Sequence, residues 1–363
     1  MRFGFACKFI DTNSADYSRL NFKTTTARHL STLPPEVARD KLRSICQHNL
    51  SCLSLAVDTI SLWPPQLRMF RLSGDLLPLF THRTCHTFYA RELYPEIKSR
   101  LSEIGERLRE ADIRVSFHPG QFTLLGTLKE EVVAASVEEL EYHTMLLLDM
   151  GYSGWHDLGC AINIHAGSKS AGLGTVRRNL NRLTPECLNF LTIENDEFSY
   201  GLEQLVGELA DEVAILPDLH HEWIHRGDYL PTDSPLLSEV EMSWRGVRPK
   251  MHCSCSPVGV YDPVGHLVGS TDSSSTLETV KAVQERTGST RSMLRQHSDI
   301  IWHKGVVEYY GNFAERFDIM VEAKSKHVAA EMLAYDLGCL PLIDVQRSDQ
   351  AIAERWREEG GME

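Results

Sequence analysis

The chain has 363 residues, 42% of them hydrophobic, which is enough to bury a large core. Its net charge of −13 weighs against nucleic acid as a partner, unless basic residues cluster locally or bound metal supplies positive potential. No apolar run reaches about 18 residues, which excludes a spanning helix; Met1–Ala6 reads as a strand rather than a secretory leader, and nine cysteines in no disulfide spacing predict reduced thiols and a cytoplasmic location.

Short apolar runs alternate with helical periodicity along the whole chain. Strands are predicted near 1–6, 67–73, 112–118, 160–165, 189–194, 212–218, 248–252 and 316–322. Continuous runs such as Ala161-Ile162-Asn163-Ile164-His165 and Phe317-Asp318-Ile319-Met320-Val321-Glu322 have the character of parallel strands buried on both faces. Helices are predicted at 34–50, 93–110 and 201–210, and from Lys129 to Met150, where Val133, Val137, Leu140 and Leu147 share a face and Gly151 provides a stop. Eight strand–helix units predict a single-domain α/β fold, a (β/α)8 TIM barrel over residues 1–340. No GxGxxG follows the first strand, so no nucleotide cofactor is expected. Residues 253–296, rich in Ser, Thr, Gly and Pro, read as a long loop insertion with some helix at 277–286. Residues 341–363 read as a polar C-terminal helix or tail.

The strand ends carry the chemistry. Successive strands finish on His118, His165, Glu194, Asp218, His252 and Glu322. Strand C-termini converge on one face of a barrel, where active sites lie. One such histidine is commonly an ordinary hydrogen-bonded residue, but six donors at matching positions point to divalent metal, with manganese, zinc or iron favoured by a mixed His/carboxylate set. In Asp218-Leu219-His220-His221 the favoured further ligand is His221, with His220 as the alternative, and Glu222 and His225 fall behind or outside the site. His82, in the loop after the second strand, is another candidate. His118-Pro119-Gly120-Gln121-Phe122 forms a sharp loop whose amide and ring either wedge into a DNA stack or simply pack on the following helix.

Taken together, His118-Pro119-Gly120-Gln121, Glu194-Asn195-Asp196-Glu197, Asp218-Leu219-His220-His221, Arg248-Pro249-Lys250-Met251-His252 and Val321-Glu322-Ala323-Lys324 resemble the motifs of the UV damage endonucleases, in the family's order and over residues 1 to about 327. The wider superfamily of endonuclease IV-like and xylose isomerase-like barrels is similar in its strand-end ligands. The resemblance implies a cluster of three metal ions, manganese first with zinc or magnesium as alternatives. Its ligands would be His82, His118, His165, Glu194, Asp218, His221, His252, His297 and Glu322, with His303 as the fallback for His297. It also implies a carboxylated Lys250 assisting the metals, a bridging or basic role for Glu194, and damaged double-stranded DNA as the partner of a monomer. Gln121 and Phe122 match the pair that probes the lesion, and Phe5 matches a tyrosine at the DNA. Phe9 stands near an expected asparagine, so lesion preference is open to change.

The implied reaction is hydrolysis of the phosphodiester immediately 5′ of a photoproduct. Competing readings are an abasic-site endonuclease, a metal-dependent sugar isomerase or epimerase on the same barrel, and a scaffold barrel without activity.

Overall fold

The computed structural model describes residues 1–10, 20–259 and 276–340. Its eight strands are β1 (Phe3–Ala6), β2 (Met69–Leu72), β3 (Arg114–Phe117), β4 (Ala161–His165), β5 (Leu191–Glu194), β6 (Ala214–Leu216), β7 (Lys250–Cys253) and β8 (Asp318–Val321). Each lies inside a predicted strand except β7, which runs one residue past 252, and with the helices between them they give the (β/α)8 barrel that the alternation predicts. The physical reason is visible in burial: β1, β3, β5, β7 and β8 have every residue buried, as strands covered on both faces must.

The chain falls into two compact units. One runs from Asp16 to Ile193. Here β2 pairs in parallel with β3, Met69 opposite Arg114 and Leu72 opposite Phe117, and β3 pairs with β4 through Ser116 and Ala161. Thr192 at the start of β5 donates to Asn163 Oδ1 of β4 at 3.0 Å. The helix Pro35–Ser61 packs on Tyr94–Glu110, which packs on Glu130–Asp149. Pro35–Ser61 runs eleven residues past the predicted end, burying Cys52, Leu53, Ala56, Val57 and Ile60 along one stripe.

The other unit holds β1 and the chain from Glu194 onward. β7 pairs with β8, and β8 with β1, all parallel. On its other side β7 meets the segment after β6: His252 N donates to Pro217 O at 2.9 Å, next to an Asp218–His252 bridge. The helix Leu219–Arg226 follows at once and packs on β7.

The described part of the predicted loop 253–296 is more ordered than its composition suggests. It carries the helices Val280–Thr287 and Arg291–Leu294, capped by the Thr279 and Thr290 hydroxyls. Val280, Val283 and Leu294 pack with Trp223 and Ile224 in a buried cluster, and Trp223 Nε1 donates to Glu278 O at 2.9 Å. The insertion thus buttresses Leu219–Arg226. The predicted tail 341–363 lies outside the described residues, as does 260–275.

Candidate metal centre

In the unit that begins at Glu194, five predicted donors come together. Glu194 ends β5, Asp218 follows β6, His252 sits in β7, and Glu322 follows β8; His221 lies one helical turn beyond Asp218. Glu194, Asp218 and His221 each offer an atom within 4.8 Å of the others, and so do Asp218, His252 and Glu322, so Asp218 belongs to both groups. His252 Nδ1 is 2.8 Å from Glu194 Oε1 and 3.4 Å from Glu322 Oε1. Glu194, Asp218 and His252 are buried.

Local backbone chemistry aims Asp218. It caps Leu219–Arg226, its Oδ1 accepting from His221 N at 2.8 Å. Its Oδ2 is buried and accepts no hydrogen bond. An ionised oxygen there is costly unless a cation answers it. Asn195 holds the same residue from behind, Nδ2 donating to Asp218 O at 2.9 Å and Oδ1 accepting from Asp218 N at 2.8 Å. Glu222, one turn into the helix that Asp218 caps, accepts from Leu202 N at 2.8 Å and so holds the start of the helix Leu202–Leu209.

The electrostatics carry the same message. Burial pushes the Asp218 carboxyl upward against the pull of His221. Burial also opposes the charged His221 ring, but Asp218, Glu194, Glu197 and Glu322 outweigh it and hold its pKa up at about 9. So much negative charge around a buried point favours a cation, and the oxygen–imidazole set is one that could hold manganese, iron or zinc. The donors present therefore fit the implied metal.

His220 faces elsewhere: it is buried, stacked on Trp223, with Nε2 3.1 Å from Leu294 O. His297 Nδ1 lies 4.0 Å from Glu322 Oε2, and its ring is 6.4 Å from that of His221. His303 instead caps Lys304–Gly311, accepting from Val306 N. Lys250 opens β7, buried, two residues before His252 and so on the same face of the strand. Phe5 is 1% exposed and packs edge-on against Phe9 with centroids 4.9 Å apart. It is a core residue in this structure.

In the unit that ends at Ile193, the rings of His118 and His165 lie 5.5 Å apart. His82 is in none of the three-donor groups among the described residues; it caps Arg83–Phe88, accepting from Thr84 N. It borders a cavity of about 730 Å³ with Arg28, Arg39 and Arg91 and with Glu92, which lies 4.0 Å from Arg39. Gln121 and Phe122 sit on the exposed turn after β3, and the Phe122 ring is 79% exposed rather than packed on its helix.

Sequence reasoning missed Asn195 and Glu197 as individual contributors. Glu197 Oε2 stands 3.9 Å from His221 Nε2, and its Oε1 accepts from Arg295 Nη1 at 3.0 Å. Burial raises the Glu197 carboxyl, yet His221 and Arg295 outweigh it and hold it below the usual range. Only the motif Glu194-Asn195-Asp196-Glu197 signalled them.

Comparison with known proteins gives the family. The family model for UV-endonuclease UvdE matches residues 1–348. The UV DNA damage endonuclease of Bacillus velezensis is 26% identical over 328 residues, 88% of this chain and 89% of that protein. The UV-damage endonuclease of Neurospora crassa is 30% identical over 202 residues, 52% of this chain and 30% of the fungal protein. The crystal structure of SacUVDE matches with a TM-score of 0.68 at 24% identity, over 94% of this chain and 100% of that one, a likeness of fold. The chain belongs to the UvdE family of UV endonucleases.

Proposed function

We propose that this chain is a UV damage endonuclease that hydrolyses the DNA phosphodiester immediately 5′ of a photoproduct, leaving a 3′-hydroxyl and a 5′-phosphate and opening a route of excision repair. The observation that carries this reading is the family match over residues 1–348. The grouping of Glu194, Asp218, His221, His252 and Glu322 supports it independently.

Those five residues, together with His82, His118, His165 and His297, would hold divalent ions, three in number and manganese first. Such ions, when bound, polarise a phosphoryl oxygen and make water a nucleophile at neutral pH. Lys250 would serve as a carbamate, because a bare ammonium beside divalent cations is repelled whereas a carbamate is a donor. Asn195 fixes the backbone of Asp218, and the Glu222 carboxylate fixes the start of the helix Leu202–Leu209. These bonds preorganise the site before substrate arrives.

DNA recognition falls to Gln121 and Phe122. An exposed ring on a tight turn costs little to insert into a weakened stack, and damaged nucleotides leave the stack more cheaply than intact ones. Arg28 and Arg91 offer positive charge for the phosphate backbone. The protein would work as a monomer in the cytoplasm. Among the described residues, no helix is long and apolar enough to cross a membrane.

Glu194→Gln tests the reading. It keeps the size of the side chain and removes the carboxylate. Cleavage of a dimer-containing duplex should vanish while the melting temperature holds. A fully active Glu194→Gln protein contradicts it.

A further inference from the structure

The loop after β5 presents a second exposed aromatic. Phe198 is 53% exposed, four residues beyond Glu194. One side of its ring is covered by the Arg295 guanidinium, 5.5 Å from the ring centroid. That guanidinium is itself anchored, donating to Glu197 Oε1 at 3.0 Å. Glu197 in turn stands 3.9 Å from His221 Nε2. The loop backbone is also pinned: Asp196 Oδ1 accepts from Phe198 N at 2.7 Å and from Ser199 N, and Asp196 N donates to Tyr200 O at 3.0 Å.

These contacts make a rigid relay from an open aromatic face to the metal donors. A single exposed apolar side chain is ordinary on a protein surface. What sets this one apart is its bracing: the Asp196 side-chain-to-backbone turn and the Glu197–Arg295 pair hold the ring in place. A ring backed by a guanidinium is the pairing that binds the π-face of a nucleobase, by stacking on one side and cation–π contact on the other. The relay is independent of the Gln121–Phe122 turn, which belongs to a different part of the chain.

We propose that Phe198, braced by Arg295, is a second aromatic contact to DNA, its open face stacking on a base of the distorted duplex beside the cut. The inference rests on the endonuclease reading and adds a recognition residue to it. Phe198 acts on binding and Arg295 positions it through the ring contact; neither takes part in bond breaking.

The test compares wild type with Phe198→Leu and Phe198→Trp in single-turnover nicking of a dimer-containing duplex with Mn²⁺, over a range of enzyme concentrations. Leucine keeps apolar bulk and removes the π-face; tryptophan restores it. The expected result is an increase of about 10-fold in the half-saturating concentration for Phe198→Leu, near wild-type behaviour for Phe198→Trp, and a smaller effect on the rate at saturation. A 2-aminopurine placed next to the lesion should lose fluorescence on binding wild type and Phe198→Trp, and keep it with Phe198→Leu. Both variants change an exposed side chain, and matching melting temperatures establish that they fold. If wild type cuts the duplex and Phe198→Leu matches it in half-saturation and in 2-aminopurine signal, the inference is overturned and the endonuclease reading stands. If wild type neither binds nor cuts damaged duplex, the endonuclease reading is overturned and the inference with it.

Discussion

Asn195 and Asp218 are locked by reciprocal hydrogen bonds, the Asn195 amide donating to Asp218 O at 2.9 Å and accepting from Asp218 N at 2.8 Å. An amide used this way matches both backbone groups of a donor residue and fixes where its carboxylate can point. Asn195→Ala leaves Asp218 N buried and unsatisfied and takes from Asp218 O one of its bonds, Glu222 N still donating to it at 3.0 Å. It should destabilise the protein by about 1–3 kcal/mol and weaken metal binding by roughly 10–100-fold. Thermal melting and a Mn²⁺ titration measure the two effects; an unchanged affinity would remove Asn195 from the site.

Asp218 has two separable duties, capping Leu219–Arg226 and offering a carboxylate to the metal groups. Asn is as good a cap as Asp. Asp218→Asn should therefore abolish metal-dependent cutting with little loss of apo-protein stability. Asp218→Ala should lose activity and also about 1 kcal/mol of stability. Denaturant melts of the metal-free variants separate the duties. Equal stability of the two would show that the cap contributes nothing.

The ordered part of the insertion has a structural purpose that can be tested away from the site. Leu294 is fully buried against Trp223 and Ile224, and its carbonyl faces His220. Leu294→Ala should cost about 2–5 kcal/mol. Because Arg295 and His297 follow directly, Mn²⁺ affinity should fall as well. A variant that loses stability but keeps wild-type affinity would confine the insertion to a packing role.

The thiols offer an inexpensive check of the core. Seven of the nine cysteines are buried and only Cys7 and Cys339 are half-buried. Burial pushes Cys46 up to about 11, against its hydrogen bond with Tyr89, so at pH 8 it stays a protonated, unreactive thiol. A thiol reagent at pH 8 should label Cys7 and Cys339 quickly, and all nine positions only after unfolding. Rapid native labelling of Cys46 or Cys253 would show that the packing described is wrong.

The strands were legible because parallel strands buried on both faces carry dense apolar runs, even where a charged residue opens or interrupts them, as Arg71, Arg114, Lys250 and Asp318 do. Glu194, Asp218 and Glu322 stand out as carboxylates that close such runs. The choice of His221 over His220 was open, since one residue on a helix is a rotation of about 100° and only tertiary contacts decide it. His221 faces the carboxylates and His220 faces Leu294 O. The end of Pro35–Ser61 was obscured by Ser51, Ser54, Thr59 and Ser61, poor helix formers that packing overrides. The Glu197–Arg295 pair joins residues 98 positions apart, a separation that no local pattern spans.

The most direct test is a nicking assay with Mn²⁺ on three end-labelled duplexes, one with a cyclobutane dimer, one with an abasic site and one undamaged, each repeated with chelator. The account predicts a single cut immediately 5′ of the dimer, absent with chelator and absent from the undamaged strand. Cutting at the abasic site alone, or no cutting of any duplex by metal-loaded protein, would contradict it.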